Sequence, residues 1–223
     1  MNALGWDSVD VILFTGDAYV DHPSFAAAVL GRTLQAAGYK VAIVPQPNWQ
    51  DDLRDFKKFG APRLFFGVSA GAMDSMVNHY TAARRRRSND AYTPNARYGA
   101  RPDYPTIVYT EILKKLFPDT PVIVGGIEAS MRRLSHYDYW QDRLRGSILL
   151  DCGADMLLYG MGEKPILELA QRLDRGEKVN EIVDMKQSVI VRPLSEMPVA
   201  DDDENIVLSS FDRCCLLYTS DAA

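Results

Sequence analysis

The stretch from Val9 to Phe25, VDVILFTGDAYVDHPSF, limits the possible folds more than any other part of the chain. Its apolar run Val11-Ile12-Leu13-Phe14 is short, unbroken and rich in β-branched and aromatic residues, which suits a strand buried on both faces. The run stops at Thr15-Gly16-Asp17, and a helical pattern begins after Pro23. The same order of buried strand, glycine turn, polar residues and helix returns at Leu64-Phe65-Phe66-Gly67, Val122-Ile123-Val124-Gly125-Gly126 and Met156-Leu157-Leu158-Tyr159-Gly160. The predicted fold is therefore α/β, a doubly wound, mainly parallel sheet of about five strands. Loops leaving the carboxyl ends of such strands share one edge of the sheet, where ligands bind in folds of this kind.

Along the chain, Phe25, Val29, Leu30 and Leu34 give Ser24–Ala37 a helical spacing, with Gly38 as a C-terminal cap. Tyr39–Val44 is the next strand, so the opening is a βαβ unit with a right-handed crossover. Leu53–Phe59 reads as a short helix, Arg63–Phe66 as a strand and Ala72–Thr81 as a helix. Ser88–Pro105, with four prolines and glycines and three tyrosines, reads as a long irregular loop of functional length. Thr106–Phe117 is a helix, Pro121–Gly125 a strand and Ala129–Leu144 a helical region. Ser147–Leu150 suits a short strand or a turn. Met156–Tyr159 is a strand, Pro165–Arg175 a helix, and Ser188–Val191 a possible edge strand.

An apolar content of 47% over 223 residues is ample for one core. A net charge of −5 argues against a general nucleic-acid binder. No apolar run reaches the roughly 18 residues of a membrane span, and MNALGWDSVD lacks the basic flank and apolar core of a secretory signal. The expectation is a cytoplasmic protein without a membrane segment. Cys152, Cys214 and Cys215 make neither a disulfide framework nor a CxxC metal pair, and they cannot ligate an iron–sulfur cluster on their own.

Gly67-Val68-Ser69-Ala70-Gly71 matches G-x-S-x-G between a strand and a helix, the setting of a nucleophilic serine in hydrolases. Asp119 and His136 supply the order Ser…Asp…His. The plainer reading is a turn of small residues that lets the helix pack close. Gly125-Gly126-Ile127-Glu128 makes a poor phosphate cradle, because Glu128 repels an anion. No dinucleotide fingerprint or Walker lysine follows a strand. Asp21-His22-Pro23 has the residue types of the D-x-H-x-x-G that ligates cobalamin, at the wrong spacing. Glu128, Arg132 and His136 are four apart, so one helix would carry all three on a face for substrate or anions, or for ion pairing alone. The run Arg84–Arg87 falls at the end of a predicted helix, where cations favour the dipole. Glu163 sits in Gly160-Met161-Gly162-Glu163-Lys164-Pro165, which closes the fifth strand. Asp17, Asp21, His22, Ser69, Glu128, Arg132, His136 and Glu163 are thus the candidate loop-edge contacts, and no residue is assigned as catalytic, cofactor-binding or metal-binding.

Taken in order, GWDSVDVILFTGDAYVDHPSF, FFGVSAGAMDSM, AYTPN, RPD, VIVGGIEASMRRLSHYDYW and YGMGEKP resemble the N-terminal region of YgiQ-like radical SAM proteins, from about Leu4 to Arg213. The resemblance implies a cobalamin-binding-like Rossmann domain over residues 1–193 and a linker over 194–213 towards a radical SAM barrel. That barrel would hold a [4Fe-4S] cluster and S-adenosylmethionine through its C-x3-C-x2-C, with one iron open to the cofactor. This sequence stops short of that motif, so the chemistry and the barrel as partner belong to a longer protein of unassigned substrate. A stand-alone cobalamin or small-anion module and a serine hydrolase at Ser69 are the alternatives. Residues 214–223 resemble translated sequencing-adapter sequence and are set apart from the fold.

Overall fold

The computed structural model describes residues 4–196 and 206–221. The elements run β1 Val11–Thr15, α1 Ala26–Ala36, β2 Val41–Pro45, α2 Arg54–Lys57, β3 Phe65–Ser69, α3 Ser75–His79 and α4 Pro105–Leu116. They continue with β4 Val122–Gly125, α5 Gly126–Met131, β5 His136–Asp138, β6 Arg143–Arg145, α6 Ile148–Cys152 and β7 Met156–Leu158. α7 Glu163–Asp174, β8 Ser188–Val189 and α8 Phe211–Asp221 complete the series.

The main sheet has six strands in the order β2-β1-β3-β4-β7-β8. The first five are parallel, and β8 adds an antiparallel edge against β7. Alternation along β1 explains the two helical layers. Val11 and Leu13 join Leu34 of α1 and Ile166 and Leu169 of α7 in one core. Ile12 and Phe14 join Phe56 of α2, Tyr109 and Leu113 of α4, and Ile148 of α6 in the other. Phe14 and Phe56 stack with centroids 5.1 Å apart. A strand covered on both faces has no polar face to offer, which is why it reads as a continuous apolar run. The chain leaves β1 for β2 on one side, whereas β3 lies on the other. The winding therefore reverses between β1 and β3, and a crevice opens outside their carboxyl ends.

Three sequence expectations change. The predicted helix over Ala129–Leu144 is a short α5 followed by the antiparallel hairpin β5–β6, in which His136 pairs with Arg145. Asp138 makes that hairpin's turn, its carboxylate accepting the Trp140 and Gln141 N–H groups at 3.0 Å. Arg84–Arg87 do not close a helix, because α3 stops at His79. They lie in a turn where Arg84 has φ 58° and Tyr80 bridges Arg86. Ser147–Leu150 opens the helix α6, with the Ser147 hydroxyl accepting the Leu149 N–H. α8 spans the end of the expected linker and most of the segment set apart as adapter sequence. The acidic run Asp201–Glu204 lies outside the described residues.

The long segment between α3 and α4 is irregular yet firmly held. Arg101 is fully buried and donates to Asp90 at 2.9 and 3.0 Å and to the Ala70 carbonyl at 2.9 Å. Gln46 donates to Thr93 Oγ1 at 2.6 Å and to the Gly16 carbonyl at 3.0 Å, and Ala18 N–H donates to the Tyr92 carbonyl. These bonds fold the segment across the carboxyl edge of β1 and β3 on the α4 side.

Candidate functional site

On the α1 and α7 side the same edge stays open, as a largely apolar crevice of about 260 Å³. Leu13, Gly67, Ile123 and Leu158, one from each of four neighbouring strands, form its floor. Ala27 and Leu30 of α1 form one wall and Ile166 of α7 the other, while Ser69, Gly125, Gly160 and Glu163 rim the mouth. Gly67 keeps the floor low, since a Cβ there would stand 2.7 Å from Leu13 Cδ2. The shape suits a slender apolar group that slides between sheet and helices, with a few polar atoms at the rim to orient it.

Behind the crevice, buried charges fix the loops. Asp17 accepts the Ala72 N–H at 2.6 Å, and its other oxygen lies 2.9 Å from Arg101. Burial pushes the Asp17 carboxyl up, partly offset by the Ala72 N–H and Arg101. Gly71 is required beside it: its φ is +113°, and a Cβ would fall 2.1 Å from Asp17 Oδ1. Glu128 is fully buried and accepts the Ser75 N–H at 3.1 Å and the Thr106 N–H at 3.2 Å. One carboxylate thereby satisfies orphan donors in the first turns of both α3 and α4. Burial and the neighbouring Asp74 push its pKa up, against Arg132 and the two N–H donors. Arg132 pairs with Asp74, which also caps α3 by accepting the Val77 N–H at 3.1 Å.

The candidate residues therefore divide. Ser69 and Glu163 line the crevice. Asp21 is exposed and pairs with Arg32 at 2.7 Å, while His22 is exposed and its Nδ1 accepts the Ser24 N–H at 3.1 Å. Asp17, Glu128 and Arg132 are buried supports, not surface contacts as expected. His136 sits on β5, not on a helical face with Glu128 and Arg132. Its Nδ1 lies 3.1 Å from the Leu134 carbonyl. The triad Ser69–Asp119–His136 is not assembled. Ser69 ends β3 beside Gly125, whereas Asp119 precedes β4 at the opposite edge, six residues before Gly125. Ser69 Oγ accepts the Gly71 N–H at 3.2 Å, and among the described residues no histidine bonds to it.

Asp74, His79, Asp90, Arg101 and Asp103 escaped sequence reading as a set. The motifs AYTPN and RPD stood close to three of them, but nothing local tells that Arg101 reaches Ala70 and Asp17. Among the described residues no three His, Cys, Asp or Glu side chains gather as a metal-binding group. Cys152 is buried, with its thiol pushed up to about 11 by that burial, and Cys214 and Cys215 lie far along the chain on α8. They do not fit the set of three converging thiolates that holds a [4Fe-4S] cluster with one open iron.

A family model described as "Radical SAM N-terminal" matches residues 1–220. A UPF0313 protein of Porphyromonas gingivalis is 66% identical over 209 residues, covering 94% of this chain and 33% of the relative. A UPF0313 protein of Bacteroides thetaiotaomicron is 71% identical over 169 residues, covering 76% and 27%. The UPF0313 protein YgiQ of Escherichia coli is 56% identical over 191 residues, covering 86% and 26%. The chain thus spans about a quarter to a third of these curated relatives. Among solved structures, the radical S-adenosylmethionine methyltransferase TsrM of Kitasatospora setae, with cobalamin and a [4Fe-4S] cluster bound, shares the fold. Its TM-score is 0.54 at 19% identity, covering 82% of this chain and 29% of that one.

Proposed function

Because the chain belongs to the radical SAM N-terminal family, we propose that it is the accessory N-terminal domain of a radical SAM iron–sulfur enzyme, with its carboxyl edge turned towards the catalytic barrel. The observation that carries this reading is the apolar crevice at the β1/β3 reversal, on an edge fringed with exposed apolar side chains. Tyr19, Val20, Ile127, Met131 and Met161 are all more than two-fifths exposed there. A fringe of that kind suits a partner surface. In this reading the barrel supplies the cluster and S-adenosylmethionine, and this domain shapes the space in which substrate or a second cofactor sits. No described helix is long and apolar enough to cross a membrane. The test is to express the longer protein, reconstitute its iron and follow 5′-deoxyadenosine release from S-adenosylmethionine. Cluster-dependent release is expected; a protein that binds no iron and cleaves no S-adenosylmethionine would overturn the reading.

The crevice supports a second reading, in which it receives one slender arm of a corrinoid. Its glycine-lowered floor and apolar walls suit such an arm, and the fold is shared with a cobalamin-bound enzyme. His22 does not fit as a metal ligand, since its Nδ1 takes the Ser24 N–H and the motif spacing is absent. Any corrinoid here would bind without that histidine. Titrating the chain with hydroxocobalamin while following the visible spectrum decides the point. A saturable change lost in Gly67→Val supports it, and an unchanged spectrum rejects it.

A further inference from the structure

The acidic net charge of the chain is not evenly spread. Among the described residues before Glu196, nine arginines stand within 4.0 Å of a carboxylate. Arg84, Arg85, Arg86, Arg87, Arg97, Arg133 and Arg143 form no such pair; six lie in the irregular segments over the carboxyl edge and Arg143 opens β6 of the hairpin there. In place of carboxylates, aromatic rings and backbone carbonyls hold several of them. The Arg84 guanidinium lies 4.6 Å from the Tyr139 ring centroid and Arg86 lies 4.1 Å from that of Tyr98. Arg87 Nε donates to the Tyr80 carbonyl at 3.2 Å. The Tyr139 hydroxyl donates to the Ala82 carbonyl at 2.7 Å, tying the β5–β6 hairpin to the arginine turn. A bridge between Asn89 and Arg97 brings the next arginine back towards the arginine turn. On the crevice side, Arg133 lies 4.9 Å from the Tyr159 ring centroid, one residue before the rim glycine Gly160.

Fixing unpaired guanidinium groups against one another is electrostatically unfavourable unless an anion arrives. A merely solvated face would intersperse the signs, as the rest of this surface does. Asp103, whose carboxylate feels the Arg86 charge without an ion pair within 4.0 Å, is already hydrogen-bonded by His79 and Tyr80 at 2.8 Å each. Asp142 is engaged by Tyr137. A guanidinium laid on a ring leaves N–H donors free at its edge for phosphate oxygens; Tyr98 is packed by the His79 ring at 5.0 Å as well as by Arg86, whereas the exposed Tyr139 offers aromatic surface to an unpaired base. We propose that this arginine–tyrosine belt binds single-stranded nucleic acid, its phosphates on Arg84–Arg87, Arg97 and Arg143 and its bases against the exposed Tyr139. The inference is independent of what fills the crevice.

Fluorescence anisotropy of labelled mixed-sequence RNA and DNA single strands of about 16 nucleotides, titrated with the chain at several salt concentrations, tests it. Binding of either strand is expected, with an affinity that falls steeply and linearly with salt on logarithmic axes. Changing Arg84–Arg87 to Gln should weaken it at least about tenfold and flatten the salt slope. Arg97→Gln with Arg143→Gln, a variant away from the turn, should weaken it in the same direction. Arg32→Gln with Arg54→Gln, which removes equal charge from that second variant's total but lies off the belt, should leave affinity unchanged. Far-UV circular dichroism checks that each variant is folded. Absence of binding at low salt, equal loss in the off-belt control, or unchanged affinity in both belt variants would each overturn the proposal.

Discussion

His79 is buried between two carboxylates, with Nδ1 2.8 Å from Asp103 Oδ1 and Nε2 3.8 Å from Asp90 Oδ2, the latter too long for a hydrogen bond. Burial alone would lower its pKa; the hydrogen bond to Asp103 and the nearness of Asp90 outweigh it, so the imidazole is held above its ordinary value. Its hydrogen bond holds the Asp103 carboxyl below the ordinary range. Asp90 is also held low: burial opposes this, but His79, Arg101 and other donors win. The raised imidazole contributes stability that is complete below its unfolded value of about 6.5 and is lost as pH rises through the folded value. The two carboxylates contribute stability above about 3.9 that is lost as pH falls through their depressed values. Thermal melts from about pH 6 to about pH 9 should therefore show a falling melting temperature, and His79→Gln should remove most of that slope. A flat wild-type profile would contradict this account. Glu128 allows a second test at this scale. Glu128→Ala strands the Ser75 and Thr106 N–H donors and should cost roughly 1–3 kcal/mol in chemical denaturation, whereas Glu128→Gln keeps an acceptor and should cost less. Equal losses would mean that the two helix ends do not depend on the acceptor.

The segment between α3 and α4 depends on Arg101 more than on any regular structure. Replacing it by Met would leave Asp17 and Asp90 buried without their cation and free the Ala70 carbonyl, a loss of roughly 3–5 kcal/mol. The first consequence should be earlier tryptic cleavage within Arg84–Arg87, read by mass spectrometry; an unchanged cleavage rate would show that the segment is held by other contacts. Such dependence was invisible in the sequence, because Arg101 joins partners 11, 31 and 84 residues away, and composition alone reads the segment as loose. The strands and main helices were legible for the opposite reason. A strand buried on both faces writes a local apolar run, and α1, α4 and α7 write a local period. The β5–β6 hairpin failed on the same logic. Glu128, Arg132 and His136 have helical spacing, but the Arg132 carbonyl accepts the distant Ile148 N–H at 2.8 Å and its guanidinium turns to Asp74. Those partners end the helix at Met131, and the aromatic-rich residues after it then suit a pleated ribbon.

For the molecule as a whole, the sheet has two unlike edges. The amino edge carries short turns, ion pairs such as Lys114–Asp155 at 3.0 Å, and a shallow, more polar cavity of about 440 Å³ lined by Arg63, Lys114, Asp119 and Asp155. The carboxyl edge carries the crevice, the apolar fringe and the arginine belt. Strand order put the crevice there; the apolar runs made the parallel strands legible but not the order in which they pair. Which loop would cover the edge and which side would stay open was not legible, since it rests on buried charges contributed by separated segments. The central claim is that this carboxyl edge faces the remainder of the longer protein. Hydrogen–deuterium exchange compared between this chain and the longer protein tests it most directly. The account predicts slower exchange in the longer protein for the backbone around Asp17–His22, Gly126–Arg133 and Gly160–Glu163, with Gly60–Arg63 and Phe117–Pro121 at the amino edge unchanged. Protection confined to the amino edge, with the crevice rim exchanging as it does in the chain alone, would contradict it.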